Sequence, residues 1–361
     1  MAANRPPSFD RLTTEESVHL KPPKVKRNNP PWLLIGLLAL AVIVGGTVLA
    51  LAVPTAPKPT RVVAQPSLST PPQTPSPGVS SSIASSSPSP SASRSTTPSA
   101  GSREPLNPRR ANCAPRPSRC GLPDGTNTGV PPGTRLTVLN GDQKITRAGT
   151  VIDGKDIRGC VEIEAPRVTI RRSKISCTGF YVVANFAERY SGGGALLQDV
   201  EISCQRSNGT GVGDYGLTAV RVNIHDCENG FDIDNTITVR DSYIHDPYNT
   251  ADNHADGIQL NPGRKIVITH NTIFAPRATS AIIGHRIGNS EVLVSGNLLS
   301  GGAYTLYCPN VPTTEFRVVN NRFSTIDSPK GGAYGPWTFC ENAAVVTGNV
   351  WDATLKRLNP R

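Results

Sequence analysis

One short phrase returns eight times between residues 168 and 352: VTIRRSKIS, LLQDVEIS, TAVRVNIH, ITVRDSYIH, IVITHNTIF, VLVSGNLLS, FRVVNNRFS and AVVTGNVWD. Each alternates apolar and polar residues around a polar corner. The apolar residues that close the phrases are Ile175, Ile202, Ile224, Ile244, Ile273, Leu299, Phe323 and Trp351, spaced 20 to 29 residues apart. Sandwiches and barrels show strands every 8 to 12 residues or so, and leucine-rich repeats need a Leu-x-x-Leu-x-Leu frame that this chain lacks. A unit of about 25 residues built only of strand and turn predicts an all-β chain folded as a single parallel β-helix, a solenoid of about eight or more coils. Coils stacked at about 4.8 Å bury their inner faces only against each other, so the domain gains stability as an array.

Corner residues recur at one place in the unit: Ser173, Asn223, Asp241, Asn271, Asn297, Asn321 and Asn349. Asn, Asp and Ser hydrogen-bond turn backbone. The expectation is a stacked ladder of side chains with a structural role.

The residues before the repeat are of another kind. Residues 1–31 are polar and basic, and residues 32–53 form an apolar run whose only hydroxyl is Thr47. At about 1.5 Å per residue this run covers the roughly 30 Å hydrocarbon core of a bilayer. Arg5, Arg11, Lys21, Lys24, Lys26 and Arg27 precede it, against Lys58 and Arg61 close behind, which keeps the amino terminus cytoplasmic. Ala50-Leu51-Ala52 offers a cleavage site, and cutting there secretes the domain. The apolar stretch exceeds the usual 7 to 15 residues of a signal-peptide core, which favours an uncleaved signal anchor. Residues 54–111 are Pro/Ser/Thr-rich and expected to be an extended, disordered linker. The exported domain is then 112–361.

The formal charge of +10 resides in the topogenic part: residues 1–112 carry +8 and the remainder only +2. A nearly neutral domain lacks the basic footprint of a nucleic-acid binder. All eight cysteines (Cys113, Cys120, Cys160, Cys177, Cys204, Cys227, Cys308 and Cys340) lie on the exported side, and their even number there argues for disulfides. Pairing of neighbours is the simplest of about 105 connectivities, among which sequence does not choose.

The repeat, the Asn, Asp or Ser corners and the exported setting resemble the right-handed parallel β-helix proteins of the pectate-lyase-like superfamily, over roughly residues 134 to 355. That resemblance implies a right-handed solenoid. It implies no single reaction, since the superfamily holds lyases, hydrolases and epimerases of polysaccharides as well as proteins without catalysis.

A second strand of each coil aligns as GFDID (230–234), GIQLN (257–261), AIIGH (281–285) and AYTLY (303–307). Alternation sends Phe231, Ile258, Ile282 and Tyr304, with Ile233, Leu260, Gly284 and Leu306, inward. Two outward columns are expected, Asp232/Gln259/Ile283/Thr305 and Asp234/Asn261/His285/Tyr307. The polar stretch HDPYNTADNHADGIQLN (245–261) feeds the second strand of its coil and brings Asp252, His254 and Asp256 to the edge of these columns. Apart from His19, every histidine lies between His225 and His285, which gathers the proton-transfer chemistry available near neutral pH into a few coils. His225 and His270, in or beside strand phrases, read as structural.

Several chemistries fit this inventory. A glycoside hydrolase needs one carboxylic acid and one carboxylate across the scissile bond; Asp232 with Asp234, or Asp234 with Asp256, supply them. HADGI and IGHRIG resemble the N-T-D-G-I and G-H-G motifs of polygalacturonases at Asp256 and His285, without the adjacent aspartate pair those enzymes carry between them. A lyase or C5-epimerase needs a base (His254 or His285), an acid (Tyr248) and a partner for the uronate carboxylate (Arg264, Arg286 or Asn261). HDPY resembles the alginate-epimerase signature through Asp246-Pro247 alone. Asp252-x-His254-x-Asp256 would offer three ligands on one side if extended, suiting Ca²⁺ through carboxylates or Zn²⁺ or Mn²⁺ through histidine. The same residues serve equally to solvate a loop and cap its turns. Tyr334 and Trp337 either stack on sugar or pack the end of the barrel.

The expectation is therefore a monomeric, single-pass protein of the cytoplasmic membrane whose exported β-helix meets an extracellular or cell-wall polysaccharide. Asp232, Tyr248, Gln259, Asn261, Arg264, Arg286 and Tyr307 contact the glycan; Asp234, His254, Asp256 and His285 do the chemistry. Elimination ranks ahead of hydrolysis, and a non-catalytic envelope scaffold is the reading from another class.

Overall fold

The computed structural model describes residues 110–186, 194–284 and 290–359. The expected tail, membrane segment and most of the linker lie outside them, as do His285 and Arg286. Among the described residues no helix is long and apolar enough to cross a membrane.

Three parallel ladders run the length of the domain. The first joins Thr137–Asn140, Lys155–Arg158, Lys174–Ser176, the starts of Glu201–Asp214 and Asn223–Ile233, then Tyr243–Ile244, Thr272–Ala275, Leu298–Gly301, Arg322–Phe323 and Val350–Trp351. The second runs from Gln143–Ile145 through Val161–Ile163, Tyr181–Asn185, the far halves of the two long strands, Asp256–Leu260, Ser280–Ile283 and Tyr304–Tyr307 to Gly335–Thr338. The third runs from Val151–Asp153 to Val345–Thr347. One strand of each in turn makes a coil, which is a parallel β-helix.

The phrase-closing residues stack as the repeat predicts: Ile175, Ile202, Ile224, Ile244, Ile273, Leu299, Phe323 and Trp351 pair in succession. The same column continues to Ile157 and Leu139 in two shorter coils, spaced 18 residues apart. Phe231, Ile258, Ile282 and Leu306 line the shaft from the second ladder, and Ile170, Leu197, Val239, Ile268, Val294 and Val318 from the third; all are at most 0 % exposed.

Each coil turns from the third ladder into the first through one residue of positive φ, among them Arg172, Asp199, Arg221, Asp241, His270, Gly296, Asn320 and Gly348. The residue after it carries the ladder. Asn271, Asn297, Asn321 and Asn349 stand there fully buried. Asn271 donates through Nδ2 to Asn297 Oδ1 (3.0 Å), Asn297 to Asn321 (2.9 Å) and Asn321 to Asn349 (3.0 Å). Ser173 and Ser242 hold the place upstream, each accepting a backbone N–H from the coil before. Asn223 and Asp241 do not belong to this ladder: Asp241 is the positive-φ residue itself and Asn223 lies one step into the strand.

Neighbouring cysteines pair. Cys160–Cys177, Cys204–Cys227 and Cys308–Cys340 each tie one coil to the next, and Cys113–Cys120 closes a small loop before the solenoid. That loop opens a strap along the outside of the first ladder. Asn112 donates to the Asp352 carbonyl at the last coil (2.7 Å); Cys113, Cys120 and Leu122 bury themselves against Leu298 and Phe274; Gly129 donates to the Arg221 carbonyl (2.9 Å) before the first coil begins.

Candidate functional site

Where the first ladder turns into the second, Gly230 and Gly257 occupy one place in successive coils. A Cβ on Gly230 would stand 2.6 Å from Ile244 Cγ2, and one on Gly257 would stand 2.4 Å from Ile273 Cγ2. Only glycine lets the strand close on the shaft there. The residues beyond then present one outward column: Ala184, Gly213, Asp232, Gln259, Ile283, Tyr307 and Thr338. The expected columns hold through Asp232, Gln259 and Ile283, but the AYTLY strand sits two residues out of the anticipated register. Leu306 pairs with Ile282, so Tyr307 rather than Thr305 continues this column, and Thr305 is buried. Asn261 donates its N–H to the Ile233 carbonyl, which sets it beside Asp234; the third member expected there, His285, is outside the described residues.

Asp232 is the polar centre of this face. Its Oδ1 accepts from Asn261 Nδ2 (2.7 Å) and more distantly from Gln259 Nε2 (3.5 Å), and its Oδ2 accepts from the Tyr181 hydroxyl (3.2 Å). Tyr181 reaches it across Gly213, whose missing side chain makes the room: a Cβ there would lie 2.0 Å from the tyrosine ring. Tyr181 is not among the residues the repeat singles out: it pairs with Thr210, three residues ahead of Ala184 in the column, so no alternation from GFDID points to it.

Asp256 lies in the neighbouring coil, but not at an open edge. It is 2 % exposed, its N–H donates to Asn229 Oδ1 (2.9 Å), and its carboxyl accepts the Ser280 hydroxyl (2.5 Å). Burial pushes this carboxyl up to about 8, against the opposing Ser280 hydrogen bond and with the charges of Glu228 and Asp232 adding to the rise. It is a carboxylic acid at neutral pH. Glu228 is also raised by burial, and burial lifts the Tyr307 hydroxyl to about 12.

Other anticipated residues are placed elsewhere. Asp252 and His254 are exposed in a segment that is not extended, because Thr250 N–H closes on Asn253 Oδ1 (2.8 Å); Asp252, His254 and Asp256 therefore do not share one side. Among the described residues no group of three His, Cys, Asp or Glu is placed to hold a metal ion. Tyr248 is half-buried with the Arg206 guanidinium 5.5 Å over its ring. Arg264 starts a strand of the third ladder and forms an ion pair with Glu291.

A second titratable cluster sits on the first ladder beside the strap. His225 Nδ1 meets Asp226 (2.8 Å) and its Nε2 faces Glu201 (3.6 Å), which also takes Lys174 (2.7 Å). The His225 contact, with Lys174, holds the Glu201 carboxyl down at about 2 against its burial, and Glu201 in turn raises His225. His245 stacks on Tyr243 at 4.0 Å, with its nitrogens on Asp246 (2.7 Å) and Asn223 (2.8 Å). These contacts engage both nitrogens of each ring. His270 binds Asp241 at its corner (2.7 Å).

At the C-terminal end a cleft of about 830 Å³ opens between Tyr304, Tyr334, Trp337, Phe339 and Trp351. Trp337 does pack the barrel end, edge-on to Phe323 at 5.2 Å, whereas Tyr334 is 58 % exposed.

No family model and no curated protein matches the chain. Among solved structures, a trypsin-treated form of QnrB1, a plasmid-mediated fluoroquinolone resistance protein, is similar over 61 % of this chain and 92 % of that one, with 10 % identity and a TM-score of 0.25. A likeness that slight carries no argument; the fold stands on the strand register above.

Proposed function

We propose that the chain is a membrane-anchored, exported β-helix protein, right-handed and of the pectate-lyase-like kind, that engages an extended polysaccharide along the outward face of its second ladder. Three inter-coil disulfides fit an oxidising compartment, and the 32–53 run fits a single-pass anchor.

The observation that carries the reading is a carboxyl kept protonated by burial, Asp256, one coil from Asp232, the carboxyl at the polar centre of the outward column. That is the division of labour glycoside hydrolysis needs. Asp256 donates its proton to the glycosidic oxygen as the C–O bond breaks; Asp232 takes a proton from the water that adds to the sugar carbon. Asp256 is closed to solvent in the free chain, so substrate contact requires a local opening of the 245–255 segment leading into it. Elimination, ranked first by the sequence, calls for a cation over the uronate carboxylate. Arg264 is engaged with Glu291 on another ladder, so hydrolysis draws on more of the described residues.

The test is to incubate the full-length chain with neutral and acidic polysaccharides while following reducing ends and ultraviolet absorbance. Reducing ends without new absorbance are expected, with loss in Asp232→Asn and Asp256→Asn. New absorbance means elimination, and silence on every substrate leaves a binding protein.

A further inference from the structure

The outward column does not stop at Tyr307. Thr338 pairs with Tyr307 and lines the terminal cleft, and Tyr304, edge-on to Tyr307 at 5.5 Å and 5.7 Å from Tyr334, joins the two. From Tyr181 to Thr338 the face spans six inter-strand steps, about 29 Å at about 4.8 Å each. It is one continuous surface, polar at Asp232 and aromatic at its end.

The cleft offers ring faces within a polar rim. Tyr334 and Phe339 are exposed, Trp337 and Trp351 are partly so, and Lys330 and Glu341 at the rim bring one charge of each sign. A lipid or a protein helix would need a wider apolar floor than this. A pyranose ring has an apolar C–H face and a hydroxyl edge, which match an aromatic floor with hydroxyl, amide and charged groups around it. Among the described residues of the cleft rim, Lys330 and Glu341 balance, which adds no net attraction for an anionic unit there.

We infer that the cleft formed by Tyr304, Tyr334, Trp337 and Phe339 is a stacking subsite for an uncharged pyranose unit of the glycan. The inference rests on the reading of the second-ladder face as a glycan surface, and it narrows the substrate class to neutral polysaccharides. The cleft sets which end of the chain is held, while Asp232 and Asp256 lie three or four coils away.

The chain supplies its own reporter, because two of its three tryptophans, Trp337 and Trp351, line the cleft and the third is Trp32. Full-length chain carrying Trp32→Phe, in a detergent without a sugar headgroup, is titrated with hexamers of β-linked glucose, N-acetylglucosamine and mannose and with a galacturonate hexamer. At least one neutral hexamer should change the emission saturably, the galacturonate hexamer should not, and Tyr334→Ala should weaken that affinity roughly three- to tenfold with an unchanged thermal midpoint. No response to any neutral hexamer, an equal response to galacturonate, or an unaffected Tyr334→Ala overturns the inference. Cleavage of polysaccharide with a silent cleft removes this subsite alone; a responding cleft without cleavage keeps the subsite and removes the acid–base assignment.

Discussion

The Tyr181 hydroxyl donates to Asp232 Oδ2 at 3.2 Å from two coils away, passing over Gly213. The contact needs a tyrosine on the third coil, no side chain on the fourth and a carboxylate on the fifth. Tyr181→Phe removes one hydrogen bond and should weaken glycan affinity about fivefold. Gly213→Ala places a methyl 2.0 Å from the ring and should displace it altogether, with a larger loss. Calorimetric titration of both variants checks this, and a Gly213→Ala chain that binds like the parent sinks the role given to Tyr181.

Asp256 makes stability depend on pH in a defined direction. Its carboxyl ionises near 3.8 when unfolded and at about 8 when folded. Its neutral form is the one the fold accepts, so stability is whole below about pH 4, falls as pH rises toward 8, and levels off above. The span is roughly a few kcal/mol. Asp256→Asn keeps an acceptor for Ser280 and cannot ionise, so the drop in thermal midpoint between pH 5 and pH 9 should shrink. An undiminished drop would assign it to another group.

The Asn ladder should behave as a chain of buried bonds rather than as surface decoration. Asn297 accepts from the N–H and Nδ2 of Asn271, and donates to Asn321 and to the Ile268 carbonyl (2.9 Å). Asn297→Ala leaves those partners buried and short of a hydrogen bond. A loss of about 2–4 kcal/mol is expected in denaturant unfolding, since each orphaned group costs about 1–3 kcal/mol. A loss under about 1 kcal/mol would mean that neighbouring coils replace the bonds.

Much of this fold was legible because a solenoid writes its register into the spacing of apolar residues: Ile175 to Trp351 pair in the order the repeat gives. What spacing could not fix was the offset of residues near corners. Asn223 and Asp241 look like ladder members in the phrases, yet the ladder position is set by the positive-φ residue before it, and in their coils Val222 and Ser242 occupy it. The site was half legible for the same reason. Alternation found Asp232, Gln259 and Asn261, but it does not fix the offset between coils, and a shift of two residues in the AYTLY strand carries Tyr307 into the other column; the tight turn at Gly257 breaks alternation and buries Asp256. Arg264 reads as a groove residue in the sequence, yet it starts a strand of the third ladder and pairs there with Glu291. The strap left no trace in the repeat, being a single run outside it.

That strap is held at its start by one buried ion pair. Arg322, 6 % exposed, donates through Nη1 to Asp352 Oδ1 (3.1 Å) and to the Arg110 carbonyl (2.7 Å), and Asp352 Oδ2 accepts the Ala114 N–H (2.9 Å). Removing the carboxylate alone, in Asp352→Ala, leaves a buried guanidinium with less than its due and should cost about 3–5 kcal/mol. Replacing both, as Arg322→Leu with Asp352→Ala, should recover a large part of that loss because no unpaired charge is left behind. The strap covers Phe274 and Leu298, so the single variant should also bind a hydrophobic dye that the parent does not. Equal stabilities for the single and double variants would show that Asp352 holds the strap through Ala114 alone, and that Arg322 contributes only its packing.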